Sequence, residues 1–158
     1  MRLSLVHVVL AFAAAAVLLV GVSSCSQRRS AGVLRPDWTR TPGALNLAVT
    51  QATIGETICV RGWTRTIRPP TSYTNELKSR QLREYGLSGT LADFQEDHLI
   101  SLELGGHPTD PRNLWPQPYP RAREVDQIEN ELREKVCSGE LTLAEAQRRE
   151  SELKHRDG

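Results

Sequence analysis

An unbroken apolar run of fifteen residues, Val8 to Val22, sets the start of the chain apart from the rest of it. Lipid-spanning helices need about 20 apolar residues and secretory hydrophobic regions about 7–15, so the length predicts an export segment over residues 1–24. Residues 25–50 show no sustained period and carry Pro, Gly and small polar residues, the pattern of a flexible tether. The remainder, 51–158, is expected to form a single domain. Within it Thr57 to Val60 is β-prone and ends at Gly62, and Trp63 to Ile67 continues or pairs with it. Arg68-Pro69-Pro70 stops any regular element. Thr74 as a cap predicts a helix over 75–85, with Leu77 and Leu82 on its apolar side and Gly86 as its stop. Residues 87–95 read as a loop. His98, Ile100 and Leu102, spaced by two, predict a strand over 98–104. Gly105-Gly106-His107-Pro108 turns the chain, and Asn113 to Trp115 is a second short strand. Val125, Ile128, Leu132 and Val136 lie on one side of a 3.6-residue period and predict a long helix over 122–136, stopped by Ser138-Gly139. Thr142 with Glu145 forms a capping box that opens a last helix from Leu143 to about residue 153. The polar end, including His155, is expected on the surface.

These elements define an α+β domain. The chain has 158 residues, with 20 Lys+Arg against 19 Asp+Glu. That balance argues against a polybasic nucleic-acid coat as the whole-chain explanation. Val22-Ser23-Ser24-Cys25 resembles a bacterial lipobox, so Cys25 is expected to become a lipidated N-terminus and hold a monomer at the cell envelope. An ordinary cleaved signal peptide and an uncleaved anchor are the alternatives. With Cys25 set aside, Cys59 and Cys137 remain, and an oxidising compartment permits a disulfide between them. Two buried free thiols are the other reading.

Polar chemistry concentrates in Gln95 to His107 and in Asp110 to Trp115. An Asp97-His98 pair opening an apolar stretch, a Gly105-Gly106 turn, and Asn113-Leu114-Trp115 fifteen residues after the His form a connected pattern. The pattern resembles the HNH, or ββα-metal, nuclease superfamily. Within it, DHLISLELGGHPTDPRNLWPQP is most similar to a group of small exported bacterial proteins. Those proteins also share segments of the RPPTSYTNELK and VCSGELTLAEAQ types, so the resemblance covers roughly residues 50–150.

The resemblance implies a ββα-metal hairpin and helix, with an additional N-terminal strand and helix and a C-terminal helix. It implies His98 as general base, Asp97 as metal ligand, and Asn113 as the residue that orients the base and braces the loop. The third motif position falls on the helix. Its usual place, eight or nine residues after Asn113, holds Arg121-Ala122-Arg123, with no ligand. Asn130 is the candidate metal ligand there, with Glu129 as the second choice. Carboxylate oxygens suit Mg²⁺, and added nitrogen ligands would admit Zn²⁺, Mn²⁺ or Ni²⁺.

Charge is unevenly spread. Arg61 to Arg83 holds six basic residues and one acid, whereas Glu84 to Asp110 holds six acids and no Lys or Arg. A positive segment beside a negative one suits a phosphate backbone, DNA or RNA, with Arg65 and Arg68 as phosphate contacts. Ordinary solvated charge is the plainer reading. Trp115 is either a core residue or a base-stacking platform, and His107 either an exposed turn residue or part of a site. Three classes therefore stand: an exported metal-dependent nuclease, a non-catalytic envelope protein that keeps the fold, and a module that binds an anionic polymer.

Overall fold

The computed structural model describes residues 33–158; the export segment and Cys25 lie outside the described residues. Helix α1 covers Trp63–Ile67 and α2 covers Thr71–Glu84; strand β1 covers Phe94–His98 and β2 covers Leu114–Pro118. Two long helices close the chain, α3 over Arg121–Cys137 and α4 over Leu143–Asp157. The domain is α+β, with a two-stranded antiparallel sheet in which Phe94 faces Pro118 and His98 faces Leu114. Among the described residues no helix is long and apolar enough to cross a membrane.

The expected strand at 57–60 is instead a series of turns after a 3-10 turn at Ile54–Glu56. Threonine side chains explain the difference. Thr57 Oγ1 donates to Thr53 O at 2.7 Å and Thr53 Oγ1 to Ala48 O at 2.8 Å, bonds that offer the backbone an alternative to a ladder. Trp63–Ile67 is likewise helical rather than extended. Helix α2 starts at Thr71, directly after Pro70, four residues ahead of the expected start; Thr74 sits inside it and bonds back to Thr71 O. Its C-terminal end behaves as the Gly86 signal predicts, with Leu87 N donating to Leu82 O at 2.8 Å.

The strand expected over 98–104 is displaced. Strand β1 ends at His98, and Leu102–Leu104 is a 3-10 turn. Leu99, Ile100, Leu102 and Leu104 are all buried, so the alternation reflects loop packing and not a half-buried strand. Side chains from afar satisfy this backbone: Asn113 Oδ1 accepts from Ile100 N, Asn113 Nδ2 donates to Ile100 O, and the Glu150 carboxylate accepts from Ser101 N. Gly106 is required here, because a Cβ on it would stand 1.7 Å from Ile100 O. Strand β2 runs on through Pro116 and Pro118, which lack the donors an interior strand needs and suit a strand at the edge of a sheet.

The core joins Val49, Ile58, Ile100 and Leu104 to Leu132 and Val136 of α3 and to Leu143 and Ala146 of α4. Trp115 is fully buried, a core residue and not a stacking platform. The Cys59–Cys137 disulfide ties the turn region to the end of α3 across a separation of 78 residues. Cys137→Ser is expected to lower the unfolding free energy by about 2–4 kcal/mol, read as a lower urea midpoint with a steeper slope, because the uncrosslinked unfolded chain exposes more surface. No shift of the midpoint would show that the cross-link does not constrain the unfolded chain.

Two segments expected outside the core are built into it. Residues 37–49 are docked rather than a free tether: Gly43 N donates to Arg112 O at 3.0 Å, His107 N to Ala44 O at 2.8 Å, and Thr41 and Val49 are buried. The end of α4 is also buried. His155 stacks on Trp38 and places Nε2 3.1 Å from Thr41 O. Lys154 is fully enclosed.

Candidate active site

A cavity of about 380 Å³ lies between β1, the loop after it and α3. Four successive residues of β1, Gln95 to His98, line it. Side chains alternate between the two faces of a strand, so four in a row can reach one cavity only along the strand's edge. The two-stranded sheet supplies that edge, because among the described residues β1 pairs with β2 alone. Ser101, Leu102 and Glu103 form a second wall, Asp126, Glu129 and Asn130 of α3 a third, and Arg68 stands at the side.

His98 is buried, and its Nε2 donates to Pro108 O at 3.0 Å. A carbonyl only accepts, so the imidazole proton is placed on Nε2 and Nδ1 keeps its lone pair. Burial pulls the pKa of His98 below its ordinary value, against the opposing influence of the Pro108 bond and Asp97, and Lys154 and Arg68 add to the drop. The ring is thus a neutral base near pH 7. Asn113, 0 % exposed, makes no hydrogen bond to the ring. It spans the loop through Ile100 and donates to His107 O at 3.1 Å, beside the Pro108 carbonyl that holds His98. His107 lies outside the cavity and accepts from Thr109 N and Asp110 N within its turn.

The acidic groups converge on Asp97. Ligand oxygens of Asp97, Asp126 and Glu129 lie within 4.8 Å of one another. Asn130 borders the cavity but is exposed and turns back on its own helix, donating to Asp126 O at 2.8 Å. Asp126 and Glu129 supply the carboxylates that cluster with Asp97 from α3, and Asn130 stands beside them at the cavity border. The motif pattern does not reach Asp126, although its spacing of three from Glu129 puts both on one helical face. Arg68 borders the cavity; Arg65 folds over Gly62 and does not line it.

Lys154, from the last turn of α4, enters this cluster. Its Nζ donates to Asp97 Oδ2 at 2.8 Å, to Glu129 Oε1 at 2.7 Å and to His98 O, and lies 3.3 Å from Glu150 Oε1. Burial disfavours the ammonium, but Asp97, Glu129 and Glu150 together outweigh it and hold its pKa well above the ordinary value. Burial also raises the carboxyls of Glu129 and Glu150, with Lys154 opposing. One ammonium faces three carboxyl groups, and the upward shift of Glu129 and Glu150 favours their holding protons unless further positive charge enters the group.

Glu96 borders the same cavity, with both carboxyl oxygens buried and without hydrogen-bond partners. Burial pushes its pKa up to about 8; Lys78 opposes the shift, and Asp97 adds to it. The Lys78 ammonium is committed to Leu91 O and Phe94 O. A carboxyl raised in the folded state favours folding below its unfolded pKa and loses that advantage as pH rises through about 8. Glu96→Gln is therefore expected to stabilise metal-free protein by about 2–4 kcal/mol at pH 9 and by little at pH 4. Urea unfolding at the two pH values reads the difference, and equal effects at both would refute it.

The donor set is one a hard divalent cation could use: three carboxylates each bring an oxygen within 4.8 Å of the others, and no His or Cys joins them among the described residues. Comparison with protein-family models, curated proteins and solved structures finds no match.

Proposed function

We propose that the protein is an exported, lipid-anchored hydrolase that cleaves phosphodiester bonds in nucleic acid with the help of a divalent cation. The observation that carries this reading is the meeting, in one cavity, of a neutral His98 with its proton fixed on Nε2 and the Asp97–Asp126–Glu129 carboxylates. The chain order supports it, since β1, the Gly105-Gly106 loop, β2 and α3 follow one another as the resemblance to HNH nucleases implies, with Asp97 and His98 on the first and Asp126 and Glu129 on the last. The resemblance to a lipobox at Cys25 supports the location.

Asp97, Asp126 and Glu129 would hold the cation, Mg²⁺ or Mn²⁺ by their all-oxygen chemistry; a nitrogen-preferring Zn²⁺ or Ni²⁺ finds no nitrogen in the group. When bound, the cation supplies positive charge over the phosphate oxygens. His98 Nδ1 takes a proton from water as the water oxygen attacks phosphorus and the ester P–O bond opens. The departing oxygen takes its proton from solvent. The Pro108 carbonyl keeps the ring in the tautomer this needs. Arg68, beside the cavity, is placed to pair with a phosphate oxygen.

Detergent-extracted full-length protein is expected to cleave plasmid or RNA with Mg²⁺ or Mn²⁺ and to lose this in EDTA. Lys154 favours a second reading, because its ammonium already supplies a positive charge among the carboxylates. A protein that binds no divalent cation and cleaves neither polymer would be the non-catalytic envelope protein.

A further inference from the structure

The ammonium of Lys154 has three N–H donors and no lone pair. All three are used: one on Asp97 Oδ2, one on Glu129 Oε1 and one on His98 O. The side chain is fully enclosed, and Glu150 backs it at 3.3 Å. Glu150 is itself fixed, with both oxygens accepting from Ser101 N at 3.1 and 3.0 Å. Lys154 cannot swing away without stranding a buried charge, so any other cation must compete with it for the oxygens it holds.

We propose that Lys154 determines which cation the Asp97–Asp126–Glu129 group accepts: by holding Asp97 Oδ2 and Glu129 Oε1, it leaves a cation one oxygen of each, Glu129 Oε2 and Asp97 Oδ1, which takes only a long 3.4 Å bond from Gln95 Nε2, and so selects a six-coordinate Mg²⁺ or Mn²⁺ over Ca²⁺. The inference rests on the reading of this group as a cation site. Ca²⁺ takes six to eight oxygens and often grips a carboxylate through both, whereas Mg²⁺ takes six and keeps several waters. Two carboxylates restricted to one oxygen each suit the second pattern.

An observation separate from the acidic cluster points to a ligand in the cavity. Ser101 borders it and is 3 % exposed, yet its Oγ has no hydrogen-bond partner. A buried hydroxyl without a partner is costly, and a metal-bound water in the cavity would supply one.

Titration calorimetry of metal-stripped full-length protein with Mn²⁺ alone and Ca²⁺ alone tests the proposal, with no turnover involved. The wild type is expected to bind one Mn²⁺ at least about tenfold more tightly than Ca²⁺. Lys154→Met should reduce that ratio about tenfold or more, the scale on which residues behind metal ligands act, mainly through tighter Ca²⁺ binding. The double variant Lys154→Met/Glu150→Gln removes one charge of each sign and should show the same loss of preference if the single variant does not fold. A wild type that binds Ca²⁺ as tightly as Mn²⁺ overturns the proposal without any variant. An unchanged ratio in a folded variant overturns it too, while the cation site itself stands. A wild type that binds neither ion overturns the cation-site reading and this proposal with it.

Discussion

His98→Ala is expected to reduce the rate of phosphodiester cleavage by about 10²–10⁴, the usual contribution of a positioned general base. The expectation rests on one hydrogen bond. With Nε2 committed to Pro108 O, only Nδ1 can accept a proton, and burial keeps the ring from being protonated at neutral pH. Metal binding by the variant should be nearly unchanged, because His98 is not among the clustered oxygen donors. Single-turnover cleavage at saturating Mn²⁺ gives the first number and calorimetry the second. A variant that cleaves at the wild-type rate would remove His98 from the chemistry. The acid limb of the wild-type pH–rate profile should lie below the ordinary histidine pKa, in keeping with the downward shift from burial.

Lys154→Ala should have the largest effect on stability, a loss of about 3–5 kcal/mol in the absence of metal. The cost arises less from the bonds lost than from what stays behind, since Asp97, Glu129 and Glu150 would remain at or near full burial without their cation. Glu150→Gln should cost less, because Lys154 keeps two carboxylates and the new amide oxygen still accepts from Ser101 N. Denaturant unfolding in EDTA compares the two. A loss below about 1 kcal/mol for Lys154→Ala, within the range of exposed ion pairs, would contradict a buried network in the folded protein.

The helices are the more legible part of the fold. Val125, Ile128, Leu132 and Val136 mark α3 because the helix buries an apolar stripe, and Thr142 caps α4 as its spacing to Glu145 foretells. The rest of α4 is hidden for a physical reason: its inward stripe runs Leu143, Ala146, Glu150, Lys154, changing from apolar to charged midway. Hydropathy therefore assigns the last turn to the surface. Strand β1 is obscured in the same way, since FQEDH carries one apolar residue and turns its polar ones toward a cavity. The link in chemistry between Asp97, His98 and Asn113 comes from the resemblance to HNH nucleases and not from periodicity. Asp126 and Glu129 are neighbours on one face of α3, but nothing in the sequence shows that this face looks toward Asp97.

Trp38 stacked on His155, and Thr41 O beside its ring, bring together residues more than a hundred positions apart. Bringing distant stretches together has an entropic cost that must be met before their contacts reward it, so such contacts slow folding. The last turn of α4 delivers Lys154 to Asp97 and His155 to Thr41 at once, which places completion of the charged cluster late in the folding order. Joining Gly158 to Val33 by a short peptide in the 33–158 domain, and opening the chain in the Ser138–Glu140 turn, would make the Thr41–His155 contact local. Such a permutant should dock the 37–49 segment earlier than the natural chain order does, and close α3 against α4 later, because opening the turn makes that pairing the distant one.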